Sequence, residues 1–507
     1  MARLEITGTL LTRNSLFNFI GQVVPLLVTM ATLPFVIPTL GVERFGLLSI
    51  AWVVLEYFGV FDLGLGRATS KYVAEALGRG DKDRIPALAW TTLMVQVFVG
   101  LLGTVTLFSI TPLLTRQVLN IPAALSAEAE AMFFLLALSV PLVLVSSSLT
   151  GMLSAAQRFD LVNAVGSSSS VTSSVSILIG VLYFEWGIGE IAAILIVLRF
   201  LTVIANYWLC ARIFPALRGL PRFHRGELRT LVAFGGWVTV SSVIVPLLLY
   251  LDRFVIGATM TMAAVAYYSV PYDIVTRLWI IPLSAITALF PAFSTLTGQG
   301  QREQIASLLA QSVKWVLLII GPAVVLITAF AGDILQLWLG ADFARESSLA
   351  VQILAVAILV NSIVQVPYAM VQAVGRPDIT AKFHLIQLPL HGFLVWWLVN
   401  QWGVVGAALA QAIRMAVEAL LFFAAACRLA SLPLYSFVSD RIVQSLIVLF
   451  LFVGLAATIN NLTPVIWLRL LGLGIVFSAV GVIVWRYSLG HHDRNQLVKL
   501  FWPASMK

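Results

Sequence analysis

Charge is what this chain has least of. Only 11% of its 507 residues are Asp, Glu, Lys or Arg, while 60% are apolar; soluble domains carry about 25% charged residues. So few charges could not cover the surface of a water-soluble protein of this size. Cysteine is nearly absent, and Cys210 and Cys427 alone build no disulfide framework. Segments of alternating polarity, the mark of an outer-membrane barrel, are missing as well. The sequence shows no nucleotide motif, metal-ligand cluster or nucleophilic triad, and the stretches between apolar runs are too short for a soluble catalytic domain. No enzyme and no bound cofactor are expected. The net charge of +8 does not call for nucleic acid, because basic residues of membrane proteins gather in cytoplasmic loops.

What is abundant is long apolar sequence. Fourteen runs lie between residues 14 and 486, each about 20 residues and able to cross about 30 Å of hydrocarbon. The predicted fold is an all-α polytopic membrane protein. Residues 1–13 hold Arg3, Glu5 and Arg13 but no short apolar core with a cleavage site, so the first run reads as a retained span. Pro25, Pro34 and Pro38 predict that it is bent. With the N-terminus inside, inner segments hold 23 Lys and Arg and outer loops three, Arg44, Arg116 and Arg345. That asymmetry places both termini in the cytoplasm. The tail beyond Arg486, with Leu497, Phe501 and Trp502, suits the inner interface.

The chain also repeats itself. The stretch from Gly151 to Asp160, with Arg158 two residues before its acid, returns from Ala369 to Asp378 with Arg376, an offset of 218. Trp186-Gly187 returns as Trp402-Gly403, Gly80 and Ile85 return as Gly300 and Ile305, and the two cysteines lie 217 apart. Six spans separate equivalents, so both copies insert in the same sense and are related by an axis along the membrane normal. This predicts two pseudo-symmetric six-helix lobes, at 1–220 and 221–430, followed by a C-terminal helix pair and cytoplasmic tail at 431–507.

Several local patterns resemble one family. They are Leu33-Pro34 with Leu40-Gly41-Val-Glu43-Arg-Phe45-Gly46; Asp62-Leu-Gly64-Leu65 with Lys71-Tyr72-Val73-Ala74 and Gly80-Asp81; and Leu251-Asp252-Arg253 with Ile256-Gly257 and Tyr267-Tyr268. They are similar to features of the polysaccharide transport family of O-antigen (Wzx-type) flippases, within the multidrug/oligosaccharidyl-lipid/polysaccharide exporter superfamily. The resemblance implies a flippase carrying an undecaprenyl-pyrophosphate-linked oligosaccharide, the repeat unit of an O-antigen, capsule or exopolysaccharide, across the bacterial cytoplasmic (inner) membrane. It further implies alternating access, a proton or sodium gradient, and polysaccharide polymerase machinery as a partner. A cation-coupled multidrug exporter is the rival reading within the superfamily, and a membrane glycosyltransferase is the rival outside it.

Carrying an anionic head through hydrocarbon calls for cations in a polar cavity, and arginine binds phosphate oxygens bidentately. Arg199, Arg277 and Arg414 fall near mid-span, where each charge costs about 2.5–3.5 kcal/mol on insertion scales. They are the candidate substrate cations; the competing reading is packing ion pairs, since Asp273–Arg277 and Arg414–Glu418 have i,i+4 spacing. Glu56, Asp62, Asp273 and Glu418 are the candidates for ion coupling. His391 reads as a packing histidine, Asp252-Arg253 as an anchor at the outer boundary, and Lys314 as a side chain that snorkels to the headgroups. The run Ser167–Ser170, with Thr172, Ser173, Ser174 and Ser176, suits close helix packing better than sugar binding. Tyr267, Tyr268 and Tyr272 suit an interfacial belt.

Overall fold

A computed structural model describes residues 8–430, apart from positions 60, 61, 63, 82, 222 and 300, together with positions 455, 458, 472, 474 and 478. The spans expected at 441–460 and 465–486, and the tail, therefore lie outside the described residues. Every described element is helical, as hydrocarbon demands: without water, backbone N–H and C=O groups must be satisfied within the segment. Among the described residues eight helices are long and apolar enough to cross a membrane.

The chain divides into two compact units, residues 1–269 and 270–507. The first contains α1 (Gly8–Leu40), α2 (Val42–Gly59), α3 (Leu65–Arg79), α4 (Arg84–Leu113), α5 (Ala123–Ala137), α6 (Val140–Ala155), α7 (Phe159–Phe184), α8 (Ile188–Ile213) and α9 (Arg225–Thr259). Its helices meet through small residues. A Cβ added at Gly151 of α6 would lie 2.5 Å from the Gly66 carbonyl oxygen of α3, and one at Gly100 of α4 would lie 2.5 Å from Cα of Pro141 in α6. Glycine here lets backbones approach, which is how helices associate without a hydrophobic driving force. Leu65, Leu88, Met152, Leu153, Cys210 and Phe214 pack together from α3, α4, α6, α8 and the residue after α8. At one end of this unit Glu128 accepts both the Arg44 guanidinium, at 3.0 Å, and the Ile188 N–H that opens α8, at 2.8 Å.

Near the unit boundary lies α10 (Met262–Thr276). The second unit continues with α11 (Ile280–Gly298), α12 (Arg302–Ala329), α13 (Ala331–Leu339), α14 (Ala341–Ala373) and α15 (Pro377–Ala430). The last is broken at Gly403, whose φ of 56° and ψ of −132° lie off the helix. Its two arms, 377–402 and 404–430, pack so tightly that a Cβ on Gly406 would sit 2.0 Å from the Leu398 carbonyl oxygen. Phe422 of the second arm is fully buried, with Tyr368 of α14 and Phe383 of the first arm edge-on to it at 5.3 and 5.4 Å. Such aromatic pairs contribute about 0.5–1.5 kcal/mol each beyond their buried area.

The repeat is visible in the backbone. Where α6 ends, Gln157 takes φ 57°, and where α14 ends, Gly375 takes φ 83°. Around Gln157 the N–H groups of Ala156, Gln157 and Arg158 bond to Met152, Ser154 and Leu153; around Gly375 those of Val374, Gly375 and Arg376 bond to Met370, Gln372 and Val371. The same helix-ending turn is thus built twice, with every bond displaced by 218 positions. After each turn an arginine folds onto the acid two residues on: Arg158 on Asp160, and Arg376 on Asp378, each through two N–H donors at 2.8–3.2 Å. That bond holds the Arg158 and Arg376 guanidinium groups above their ordinary pKa.

Gly64, at φ 67°, stands immediately before α3, at the turn-like Asp62-Leu-Gly64-Leu65. Three readings of the sequence change. Asp252 and Arg253 are not boundary anchors, being 0% and 4% exposed, and the expected belt residues Tyr268 and Tyr272 are buried too. The Tyr268 hydroxyl donates to the Asp252 carboxylate, tying α9 to α10. Lys314 does not snorkel; it is 3% exposed and lies with its ammonium 5.2 Å from the Trp315 ring centroid. Apolar flanks gave these charges the appearance of membrane-edge residues, whereas packing places them inside.

Candidate functional site

The serine-rich half of α7 faces two neighbours. Toward α1, Ser167 donates to the Gly21 carbonyl at 3.0 Å, Asn163 donates to Asn18 at 2.6 Å, and Ser174 shares a 3.2 Å bond with Thr29. Toward α8, Ser169 and Thr202 share a 2.8 Å bond. The packing expected of this run is therefore present. Beside it, α1, α2, α7 and α8 leave a cavity of about 300 Å³, lined by Thr29, Thr32, Ser170, Ser173, Ser174, Trp52 and Arg199 among others. Hydroxyls, an aromatic face and one guanidinium can meet sugar hydroxyls, a sugar ring and a phosphate respectively. Arg199 is half-buried. A second, more apolar cavity of about 470 Å³ lies between α7 and α8, and the two share Ser169.

The second unit holds a different constellation. Arg414 and Glu418 are 6% and 7% exposed. Arg414 Nη1 donates to Glu418 Oε2 at 3.1 Å, and its Nε donates to Gln411 Oε1 at 2.9 Å. Asn361 Nδ2 reaches the same Glu418 oxygen at 3.3 Å, while His384 Nε2 stands 3.5 Å from Glu418 Oε1. The pair expected from i,i+4 spacing forms, inside a larger polar network. His384, Asn361 and Gln387 escaped the reading of the sequence. Their one signal was the spacing of Thr380, His384, Gln387 and His391, which puts four polar residues on one helical face.

The remaining candidates are dispersed. Asp62 lies between α2 and α3, where its carboxylate accepts the Gly66 N–H at 3.0 and 3.2 Å and the Gln96 side-chain amide. It thus caps the start of α3, whose first N–H groups lack helical partners. Arg277 is exposed, at a short 3₁₀ turn between α10 and α11, and Asp273 is half-buried one turn earlier on α10. Glu56 lies on α2, and its side chain is outside the described residues. Arg199 belongs to the first unit and Arg414 to the second.

Comparison with known proteins places this architecture. The model of a family described as polysaccharide biosynthesis protein matches residues 11–297. The chain belongs to that family. It is a multi-pass membrane protein of polysaccharide biosynthesis, and a second model, MatE, matches residues 238–398. A relative named "Putative O-antigen transporter" from Shigella flexneri is 27% identical over 410 residues, covering 81% of this chain and 96% of the relative. Among solved structures, the lipid II flippase MurJ in an inward closed conformation superposes with a TM-score of 0.71, at 14% identity, over 94% of this chain and 99% of that one. An inward-facing multidrug resistance MATE transporter of the MOP superfamily gives 0.70 at 17% identity, over 81% of this chain and 94% of that one. At those identities the structures establish a shared fold.

Proposed function

We propose that this protein is a flippase that moves an undecaprenyl-pyrophosphate-linked oligosaccharide from the inner to the outer leaflet of a cytoplasmic membrane by alternating access. The observation that carries the reading is Arg199 in a cavity lined by hydroxyl and aromatic side chains, within a chain of the polysaccharide biosynthesis family. In this reading Arg199 meets the pyrophosphate, Trp52 and the α7 serines meet sugar, and Arg277 and Arg414 are further cavity cations. Asp62, Asp273, Glu56 and Glu418 are the acids available for ion coupling. The chain crosses the membrane fourteen times with both termini inside, as lobes 1–220 and 221–430 plus the helices of 431–507, and hands its cargo to the polysaccharide polymerase machinery.

The test uses the purified chain in liposomes with a fluorescent short polyprenyl-pyrophosphate sugar, read as protection from an impermeant quencher. Wild type translocates the probe. Loss of a charge-assisted hydrogen bond removes about 1.5–3 kcal/mol, so Arg199→Ala slows translocation at least about tenfold, and Arg199→Lys retains part of the rate. Absence of translocation with several lipid-linked sugars, together with gradient-driven efflux of cationic dyes, would instead establish the drug-exporter reading that the MatE match favours.

A further inference from the structure

The second unit contains more buried polarity than packing requires. On the first arm of α15, Thr380, His384, Gln387 and His391 are 4%, 6%, 4% and 2% exposed. They span twelve residues, a helical rise of about 16 Å, or roughly half the thickness of the hydrocarbon. The Oγ1 of Thr380, Nδ1 of His384 and both amide atoms of Gln387 are buried without a hydrogen-bond partner among the described residues. Each such group costs about 1–3 kcal/mol. Hydroxyl, imidazole and amide share one property: each can accept and donate a hydrogen bond.

This face leads to Glu418. One of its oxygens is held by Arg414 and Asn361, and the other faces His384 Nε2. Arginine does not release its proton in proteins, whereas imidazole exchanges one near neutrality. Around this pair α14 contributes Asn361 and Gln365, and the second arm of α15 contributes Gln411, Arg414 and the Phe422 ring, 6.3 Å from that of His384. The neighbouring α12 carries one buried charge, Lys314. A metal ion would have to settle beside the Arg414 guanidinium, and among the described residues no group of three His, Cys, Asp or Glu could hold one. A proton meets neither obstacle.

We propose that His384 and Glu418 form a proton-binding site, reached along the polar face of α15, whose loading couples the second unit to a pH gradient. Hydronium gives its proton to His384 Nδ1 and leaves as water; the imidazolium keeps its Nε2 proton toward Glu418. The charge of the cluster rises from zero, with Arg414 and Glu418 cancelling, to plus one. The coupling rests on the flippase reading above, but proton binding does not.

Two measurements on the full chain test this. In a pH jump from about 8 to about 6, purified wild type takes up about one proton more than His384→Gln, because a buried packing histidine would stay neutral. In liposomes, an imposed pH gradient accelerates translocation of the lipid-linked probe by wild type; His384→Gln loses that acceleration at least about fivefold yet keeps translocation without a gradient. Gln387→Leu removes two buried unpartnered atoms and so folds, and it too loses the acceleration. Equal proton uptake by wild type and His384→Gln overturns the site, as does full acceleration in either variant. A wild type that moves no lipid under any condition defeats the flippase reading, while the pH jump still decides proton binding.

Discussion

Arg414 and Glu418 offer a quantitative check on the second unit. Glu418→Gln leaves the guanidinium inside the membrane with no opposite charge. A lone charge at a helix centre costs about 2.5–3.5 kcal/mol on insertion scales, and the lost charge-assisted bond removes about 1.5–3 kcal/mol more. Side-chain relaxation offsets part of that sum, so the expected loss is about 3–5 kcal/mol, the range for breaking buried pairs. Arg414→Met makes the mirror-image error, leaving a carboxylate beside Asn361 and His384. The double variant removes both charges and fills the arginine's volume with an apolar chain, a change that is often close to neutral. The double-mutant cycle should therefore yield at least about 2 kcal/mol of coupling. Equilibrium unfolding in mixed micelles against the mole fraction of denaturing detergent provides the four stabilities. Losses that add to within about 0.5 kcal/mol would refute the reasoning, because two residues 3.1 Å apart would then be behaving as strangers.

Two further outcomes follow from the backbone. Gln157 holds the left-handed conformation that its counterpart Gly375 adopts without a side chain, so Gln157→Gly should stabilise by about 0.5–1 kcal/mol and Gly375→Ala destabilise by about 1 kcal/mol, both read in the same unfolding assay. A Cβ on Gly46 of α2 would lie 1.8 Å from the Met262 carbonyl oxygen; Gly46→Ala should lose about 1–3 kcal/mol, seen as a lower thermal midpoint in detergent, and an unchanged midpoint would show that α2 and the start of α10 can separate freely.

The helices themselves were legible because hydrocarbon imposes length and apolarity directly on composition. The repeat was legible at Gln157-Arg158-Phe-Asp160 and Gly375-Arg376-Pro-Asp378 because that turn is local, made from main-chain bonds and one short ion pair. Trp186-Gly187 and Trp402-Gly403 were equally visible, yet their conformations differ: Gly187 is extended at the start of α8, while Gly403 breaks α15 at φ 56°. Less was legible wherever a third element decides the outcome. Nothing along the chain says that Lys314 is sealed by packing, or that Asp62 is engaged by Gln96, 34 positions away. The cavity around Arg199 draws on four helices, and its arginine stood out only because charge at that depth is rare. His384 stayed hidden because the spacing of Thr380, His384, Gln387 and His391 marks a polar face without saying what that face meets.

The paired turn after α6 and after α14 bears on how the chain enters the bilayer. Its bonds join residues at most five positions apart, so it asks nothing of distant sequence. By the time a ribosome has delivered the first residues of α7, every atom needed to reverse the chain after α6 has already been synthesised. The same holds some two hundred residues later for α14 and α15. Each neighbouring pair of helices can therefore leave the translocon as a closed hairpin, before the rest of its unit exists.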